Sequence, residues 1–140
     1  MWCIRLLNTS GTRIENWPQQ QLDNGCAKNS ATGQRYKHFV RALKNAENVL
    51  CKAGTIKPLP LYFMECLVYN LPNEYLTPTG LSAGFRSTLA YLFNNPRSPD
   101  AVTEWVEPNE RKYLFHSTQK WTRMDGCALV DATWDLLGYE

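Results

Sequence analysis

Apolar residues recur at a helical period over the middle of the chain. Tyr36, Phe39, Val40, Leu43, Ala46, Val49 and Leu50 fall on one face at 3.6-residue spacing, which predicts a helix over residues 31–53. Gly54 follows as a residue suited to the left-handed turn that closes helices. Beyond the rigid connector Lys57-Pro58-Leu59-Pro60, residues 61–70 are apolar on nearly every side, which predicts a buried helix opened by Pro60 and closed by Pro72. A third helix is expected over residues 81–94, with Phe85, Leu89, Leu92 and Phe93 on one face. Ser98-Pro99 reads as the N-cap and first position of a short fourth helix containing Val102 and Trp105. Thr122-Arg123-Met124-Asp125 reads as a capping box with Asp in place of Glu. It opens a fifth helix whose apolar face is Met124, Cys127, Ala128, Val130, Trp134 and Leu137, ended by Gly138.

The flanking segments follow other patterns. Residues 2–7 and 12–17 surround the turn-forming Asn8-Thr9-Ser10-Gly11 and predict a β-hairpin stopped by Pro18. Residues 19–30 are polar and contain Asn24-Gly25, which predicts a loop. Residues 107–120 are mixed and read as extended or turn structure. The expected fold is mainly α, about five helices with a short N-terminal β-hairpin. The expected organisation is a single domain over residues 1–140, with residues 1–18 as the hairpin and residues 31–140 as a helical lobe.

Composition adds mostly exclusions. The 140 residues are 44% hydrophobic and 20% charged, ordinary for one globular domain, and the net charge is only +2. The five cysteines (Cys3, Cys26, Cys51, Cys66 and Cys127) are widely spaced without a CxxC pair, and His38 and His116 lie far apart, so zinc is not expected. Met64, Cys66, Trp105, Trp121 and Trp134 are expected in the core, and the histidines at the surface or hydrogen-bonded. No signal peptide or span of membrane length is visible, so a cytoplasmic protein is expected, with no membrane partner.

Charge becomes informative locally. Lys28, Arg35, Lys37, Arg41 and Lys44 occur in a span that contains no acid. On the first helix, Lys37, Arg41 and Lys44 stand at i, i+4 and i+7 and share one face, where like charges repel by a few tenths of a kcal/mol per pair. Either that face is simply solvated, or it receives an anionic partner such as a nucleoside triphosphate or a nucleic-acid backbone. Tyr62 and Glu65 interrupt the apolar second helix. Tyr62 reads either as a platform for a base or as a core aromatic, and Glu65 as a carboxylate paired with the basic helix, most simply with Arg41. None of the 13 acids is separated from another by a single residue, so a D-x-D metal pair of the kind two-metal nucleotidyl transfer requires is absent. No catalytic residues and no metal ligands are assigned. With two histidines and no G-x-S-x-G elbow, no Ser/His/Asp or Cys/His arrangement suited to nucleophilic catalysis is expected.

Five blocks in order carry a family resemblance. They are Ile14-Glu15-Asn16-Trp17-Pro18, then Asn24-Gly25-Cys26-Ala27-Lys28-Asn29, the stretch from Arg35 to Lys44, the stretch from Tyr62 to Asn70, and Trp121-Thr122-Arg123. The series resembles the carboxy-terminal helical domain of bacterial CD-NTases, the nucleotidyltransferases akin to cyclic GMP-AMP synthase and oligoadenylate synthase. The resemblance implies a helical lobe that faces a nucleotidyltransferase core across the active-site cleft, in enzymes that make cyclic oligonucleotides for antiphage signalling. It places the catalytic acids, and with them the Mg2+ site, upstream of the matched region. It implies that Lys44 contacts nucleotide phosphates and that Tyr62 stacks on the base; Leu61 stands where the family has a phosphate-contacting serine. Nucleotide-binding residues are therefore expected at Lys44, Tyr62, Arg41 and Lys37, in a chain inactive alone.

Two other roles fit the same residues. The chain is then a protein-interaction module that docks on a nucleotidyltransferase or another defence protein, or forms a homo-oligomer. Otherwise it is one chain of a split nucleotidyltransferase whose core chain supplies the catalytic half.

Overall fold

The computed structural model describes residues 18–115 and 119–138. They form five α-helices: α1 (Pro18–Ala31), α2 (Arg35–Lys52), α3 (Leu61–Tyr69), α4 (Leu81–Asn94) and α5 (Arg123–Leu136). Single 3-10 turns lie at Asn73–Tyr75 and Asp100–Val102. The chain is mainly helical, as expected. The hairpin expected over residues 2–17 lies outside the described residues. Among the described residues the β pairing is one antiparallel bridge, Val106 with Tyr113.

Helix α2 is the centre of the lobe and packs against α1, α3 and α5, while α4 lies on α5. Its periodic face is buried at Tyr36, Phe39, Val40, Leu43, Ala46 and Leu50, but Val49 falls off that face and is 50% exposed. Helix α3 buries Phe63, Met64, Cys66, Leu67 and Val68 against it. The Phe63 ring stacks on Trp121 with centroids 5.0 Å apart, which fastens α3 to the entrance of α5. The capping box is present: the Thr122 hydroxyl accepts from the Asp125 N–H, and the Asp125 carboxylate accepts from the Thr122 N–H.

Two expected elements are corrected. Residues 19–30, read as a loop, are the body of α1. Asn24-Gly25 signals a turn only in isolation. Here Gly25 lies under α2, where an added Cβ would sit 3.7 Å from the Tyr36 ring, so docking on α2 overrides the local preference. Pro18 opens this helix instead of ending a strand, consistent with proline's place at a first helical position. The helix expected from Ser98 is only the 3-10 turn at Asp100–Val102. The chain leaves it to pass Trp105 into the core, too soon for a helix to propagate.

Helix α2 also starts later than its apolar period suggests. Gly33 and Gln34 take left-handed backbone angles (φ 59° and 72°) and separate α1 from α2. The first turn of α2 is then capped from behind. The Thr32 hydroxyl accepts from the Tyr36 N–H at 3.0 Å and the Asn29 side-chain oxygen from the Lys37 N–H at 3.0 Å. Buried Glu47 accepts from the Leu59 N–H at 3.0 Å and from the Cys51 thiol, and so ties the proline-rich connector to α2.

Gly84 sets how closely α4 approaches this frame. A Cβ there would lie 2.9 Å from both the Phe39 ring and the Leu76 carbonyl, and 2.7 Å from the Arg35 guanidinium. Overpacking at such a contact costs about 1–3 kcal/mol, whereas alanine's helix propensity returns about 1 kcal/mol at most. Gly84→Ala is therefore expected to lower the urea midpoint. A midpoint at or above that of the native protein would refute this reading of the contact.

Candidate functional site: a basic groove between α1, α2 and α3

The five clustered cations divide into two groups. Lys28 is not available to a ligand: its ammonium donates to the Leu71 carbonyl at 2.6 Å and to Asn73 Oδ1 at 2.9 Å, over the Tyr69 ring. Burial pulls this ammonium down from 10.5 to about 8. Arg35 is engaged in the same manner, its guanidinium donating to the carbonyls of Leu76 and Pro78 at 3.0 and 2.6 Å. Both close the turns that follow α3.

Lys37, Arg41 and Lys44 behave differently. All three line one open groove of about 430 Å³. Gln21, Gly25 and Cys26 of α1 form its facing wall, Glu65 of α3 closes one end, and Pro108 contributes to its edge. Lys37 and Arg41 are exposed, and among the described residues their side chains make no hydrogen bond or ion pair. The groove therefore holds two uncompensated positive charges beside a third, an arrangement that attracts polyanions.

The third charge has a partner, and it corrects an expectation. Glu65 pairs with Lys44 at 3.3 Å, not with Arg41. The crossing of α3 over α2 sets Glu65 against the later of the two cations, one helical turn along. Both side chains are about one-third exposed (31% and 34%), so the pair is weak, about 1 kcal/mol or less, and can open.

Tyr62 does not line the groove. It stands on α3, one turn before Glu65, partly buried and in a T-shaped contact with Trp121. Its hydroxyl donates to Glu107 Oε1 at 3.1 Å, and Glu107 directly precedes the groove residue Pro108. The structure thus brings Lys37, Arg41 and Lys44 together and sets Tyr62 one turn from the groove residue Glu65. Leu61 is 52% exposed and has no side-chain hydrogen-bonding group to offer a phosphate.

Sequence reasoning missed the α1 wall and Glu107. The first was hidden by reading residues 19–30 as a loop. Glu107 sits in a segment with no periodicity, and nothing local signals that it is buried. That segment is shaped by long-range contacts. The Asn24 amide donates to the Pro108 carbonyl at 2.7 Å, and the Asn70 side chain bonds both the carbonyl and the N–H of Val106.

Cys51 and Cys66 are poor candidates for nucleophilic chemistry. Burial pushes Cys66 well above its ordinary range and Cys51 up to about 11. Among the described residues no cluster of His, Cys, Asp and Glu could hold a metal ion, and no helix is long and apolar enough to cross a membrane.

A helical lobe with a polybasic groove on its first long helix defines a class, and comparison with known proteins fits that class. The chain belongs to the family of the cGAS/DncV-like nucleotidyltransferase C-terminal helical domain, whose pattern matches residues 23–138. It is 41% identical over 130 residues to the cyclic dipyrimidine nucleotide synthase CdnE of Legionella pneumophila, a match covering 91% of this chain and 43% of that protein. A cyclic dipurine nucleotide synthase of Elizabethkingia meningoseptica is 27% identical over 98% of this chain and 47% of its own length. Among solved structures, the Elizabethkingia meningoseptica CdnE cyclic dinucleotide synthase with GTP and Apcpp superposes with a TM-score of 0.84 at 28% identity, covering 96% of this chain and 49% of that one. The Rhodothermus marinus CdnE c-UMP-AMP synthase with Apcpp and Upnpp gives 0.77 at 27% identity, over 92% of this chain and 43% of that one. The chain spans less than half the length of these relatives.

Proposed function

We propose that this chain is the nucleotide-holding helical lobe of a cyclic-oligonucleotide-synthase-type nucleotidyltransferase of antiphage signalling, inactive without a catalytic core. It acts as one folding unit in which Lys37, Arg41 and Lys44 receive the phosphates of a nucleoside triphosphate and Tyr62 stacks on its base. The observation that carries this reading is the convergence of those three cations on one groove while Lys28 and Arg35 are tied to carbonyls elsewhere. Solved relatives hold nucleotides or their analogues, which supports the ligand class. Mg2+ would enter with the nucleotide and with the acids of a separate core, and would offset phosphate charge there.

Calorimetric titration with GTP and ATP at low salt tests the reading. Binding is expected at micromolar to millimolar strength, about 10-fold weaker in Lys44→Ala, where one charge-assisted contact is lost. Undiminished binding in Lys44→Ala, or no heat at millimolar nucleotide, would remove the site. Glu65→Gln is expected to act in the opposite direction. It releases Lys44 from its counter-ion and should tighten triphosphate binding about 2- to 5-fold, an effect that fades as salt rises. Weaker binding in Glu65→Gln would mean that the carboxylate holds Lys44 in place and does not compete for it.

A docking role has its own observation. On the side of α2 away from the basic groove, a second groove of about 470 Å³ runs between α2, α4 and α5. Val49, Leu81, Leu136 and Leu137 line it and are each 44–51% exposed. Under this reading the lobe binds a nucleotidyltransferase core, another defence protein or a second copy through apolar contact. A monomer in size-exclusion chromatography at high protein concentration would argue against self-association.

A further inference from the structure

Glu107 is a buried carboxylate, 6% exposed. A carboxylate in such a position is costly unless donors surround it. Three neutral donors do. The Tyr62 hydroxyl and the Asn109 amide reach Oε1 at 3.1 and 3.2 Å, and the Gln119 amide reaches Oε2 at 2.6 Å. No buried side-chain polar atom among the described residues is left without a partner. Three donors facing one group suit a pure acceptor. Glutamine in its place would keep one acceptor oxygen for the Tyr62 hydroxyl and the Asn109 amide and turn its N–H2 toward Gln119, so only a side chain without an acceptor releases Tyr62.

The geometry ties this carboxylate to the groove. Tyr62 comes from α3, Asn109 from Glu107's own loop and Gln119 from the segment leading into α5. Pro108, the next residue, is itself part of the groove's edge and is held by Asn24 of α1. Burial, the neighbouring Cys66 thiol and Glu107 all push the Tyr62 hydroxyl far above its ordinary range, so it remains a donor at every accessible pH. Its hydroxyl end is held on Glu107 and its ring packs in a T-shaped arrangement with Trp121, centroids 6.3 Å apart, so both ends of the side chain are held before any ligand arrives.

We infer that Glu107 is a positioning residue for base recognition: it anchors the Tyr62 hydroxyl so that the ring is pre-set, beside the phosphate groove, as the platform for a purine or pyrimidine. This rests on the groove being a nucleotide site. A pre-set ring binds without losing its rotamer freedom at that moment, which is where an anchored tyrosine differs from a phenylalanine of the same shape. The contribution belongs to the base alone and leaves the phosphates untouched.

The test compares GTP with inorganic triphosphate on the full 140-residue chain and on two variants, Tyr62→Phe and Glu107→Ala. The native chain is expected to bind GTP about 5-fold or more above triphosphate, the effect of one base stacked on an aromatic ring. Both variants should lose most of that preference while keeping the native affinity for triphosphate. Retained triphosphate affinity also shows that the lobe is folded. If Glu107→Ala does not fold, Tyr62→Phe, which keeps the ring and leaves Glu107 two donors, carries the comparison. The Tyr62 hydroxyl proton should also appear in the NMR spectrum of the native chain as a slowly exchanging resonance, missing in both variants. A full GTP preference in Tyr62→Phe would overturn the inference, as would a native chain that binds triphosphate and GTP equally. A parallel loss of both ligands in a folded variant would also overturn it. A native chain that binds neither ligand, with the hydroxyl resonance present, would instead bring down the nucleotide reading of the groove and this inference with it.

Discussion

The double reversal Arg41→Glu/Lys44→Glu is expected to eliminate measurable triphosphate binding, by a factor of 100 or more. Each cation removed forfeits a charge-assisted contact of about 1.5–3 kcal/mol, and each introduced carboxylate adds repulsion in a groove already holding Glu65. Two such losses exceed about 3 kcal/mol, beyond a 100-fold change. The folded state should hardly notice. Arg41 is exposed and makes no side-chain hydrogen bond or ion pair among the described residues, and the Lys44 pair is worth little. Lys28→Met gives the contrast. It removes a cation from the same stretch of sequence, yet Lys28 holds the Leu71 carbonyl and lies off the groove, so stability should fall while binding persists. Titration and melting of both variants check the pair of outcomes. Equal loss of binding in both would show that net charge, not the groove, governs the interaction.

Phe63→Ala is expected to be the most destabilising single change, by about 3–5 kcal/mol. Phe63 is fully buried, stacked on Trp121 and edge-on to Phe115 at 6.1 Å, and its ring lies 3.3 Å from where a Cβ at Gly126 would be. One ring therefore joins α3, the segment before α5 and α5 itself. For a domain of this size the loss corresponds to a fall of about 10–20 °C in Tm. A fall of under about 3 °C would mean that the surrounding rings close the gap, and that Phe63 is not the centre of the core.

Helices α2, α3, α4 and α5 were legible in the sequence because each carries its own signal: an apolar period, an all-apolar run between prolines, or a capping box. Helix α1 was not, because it is polar and borrows its stability from α2 through contacts such as Gly25 under Tyr36. The groove was half legible. Lys37, Arg41 and Lys44 could be placed on one face by counting residues. No count could show that Lys28 and Arg35 turn away toward carbonyls 41 to 45 residues distant, or that Lys44 and not Arg41 would meet Glu65. Glu107 illustrates the limit. Its burial is decided by residues from three separate segments, and a single acid among irregular sequence gives no sign of that.

The bond from Asn24 to the Pro108 carbonyl joins residues 84 positions apart. Its consequence lies in the order of folding. The α2–α3 pair is local and can form as soon as it leaves the ribosome, with its cations already in line. The groove's edge cannot exist until residue 108 has been made and has returned to α1, a closure that comes late because distant contacts follow local ones. A nascent chain halted before that point would show helices and charge but no shaped site. Under the proposed nucleotide reading, ligand capture would then wait for the return of residue 108 to α1, and an unfinished chain would not sequester nucleotide.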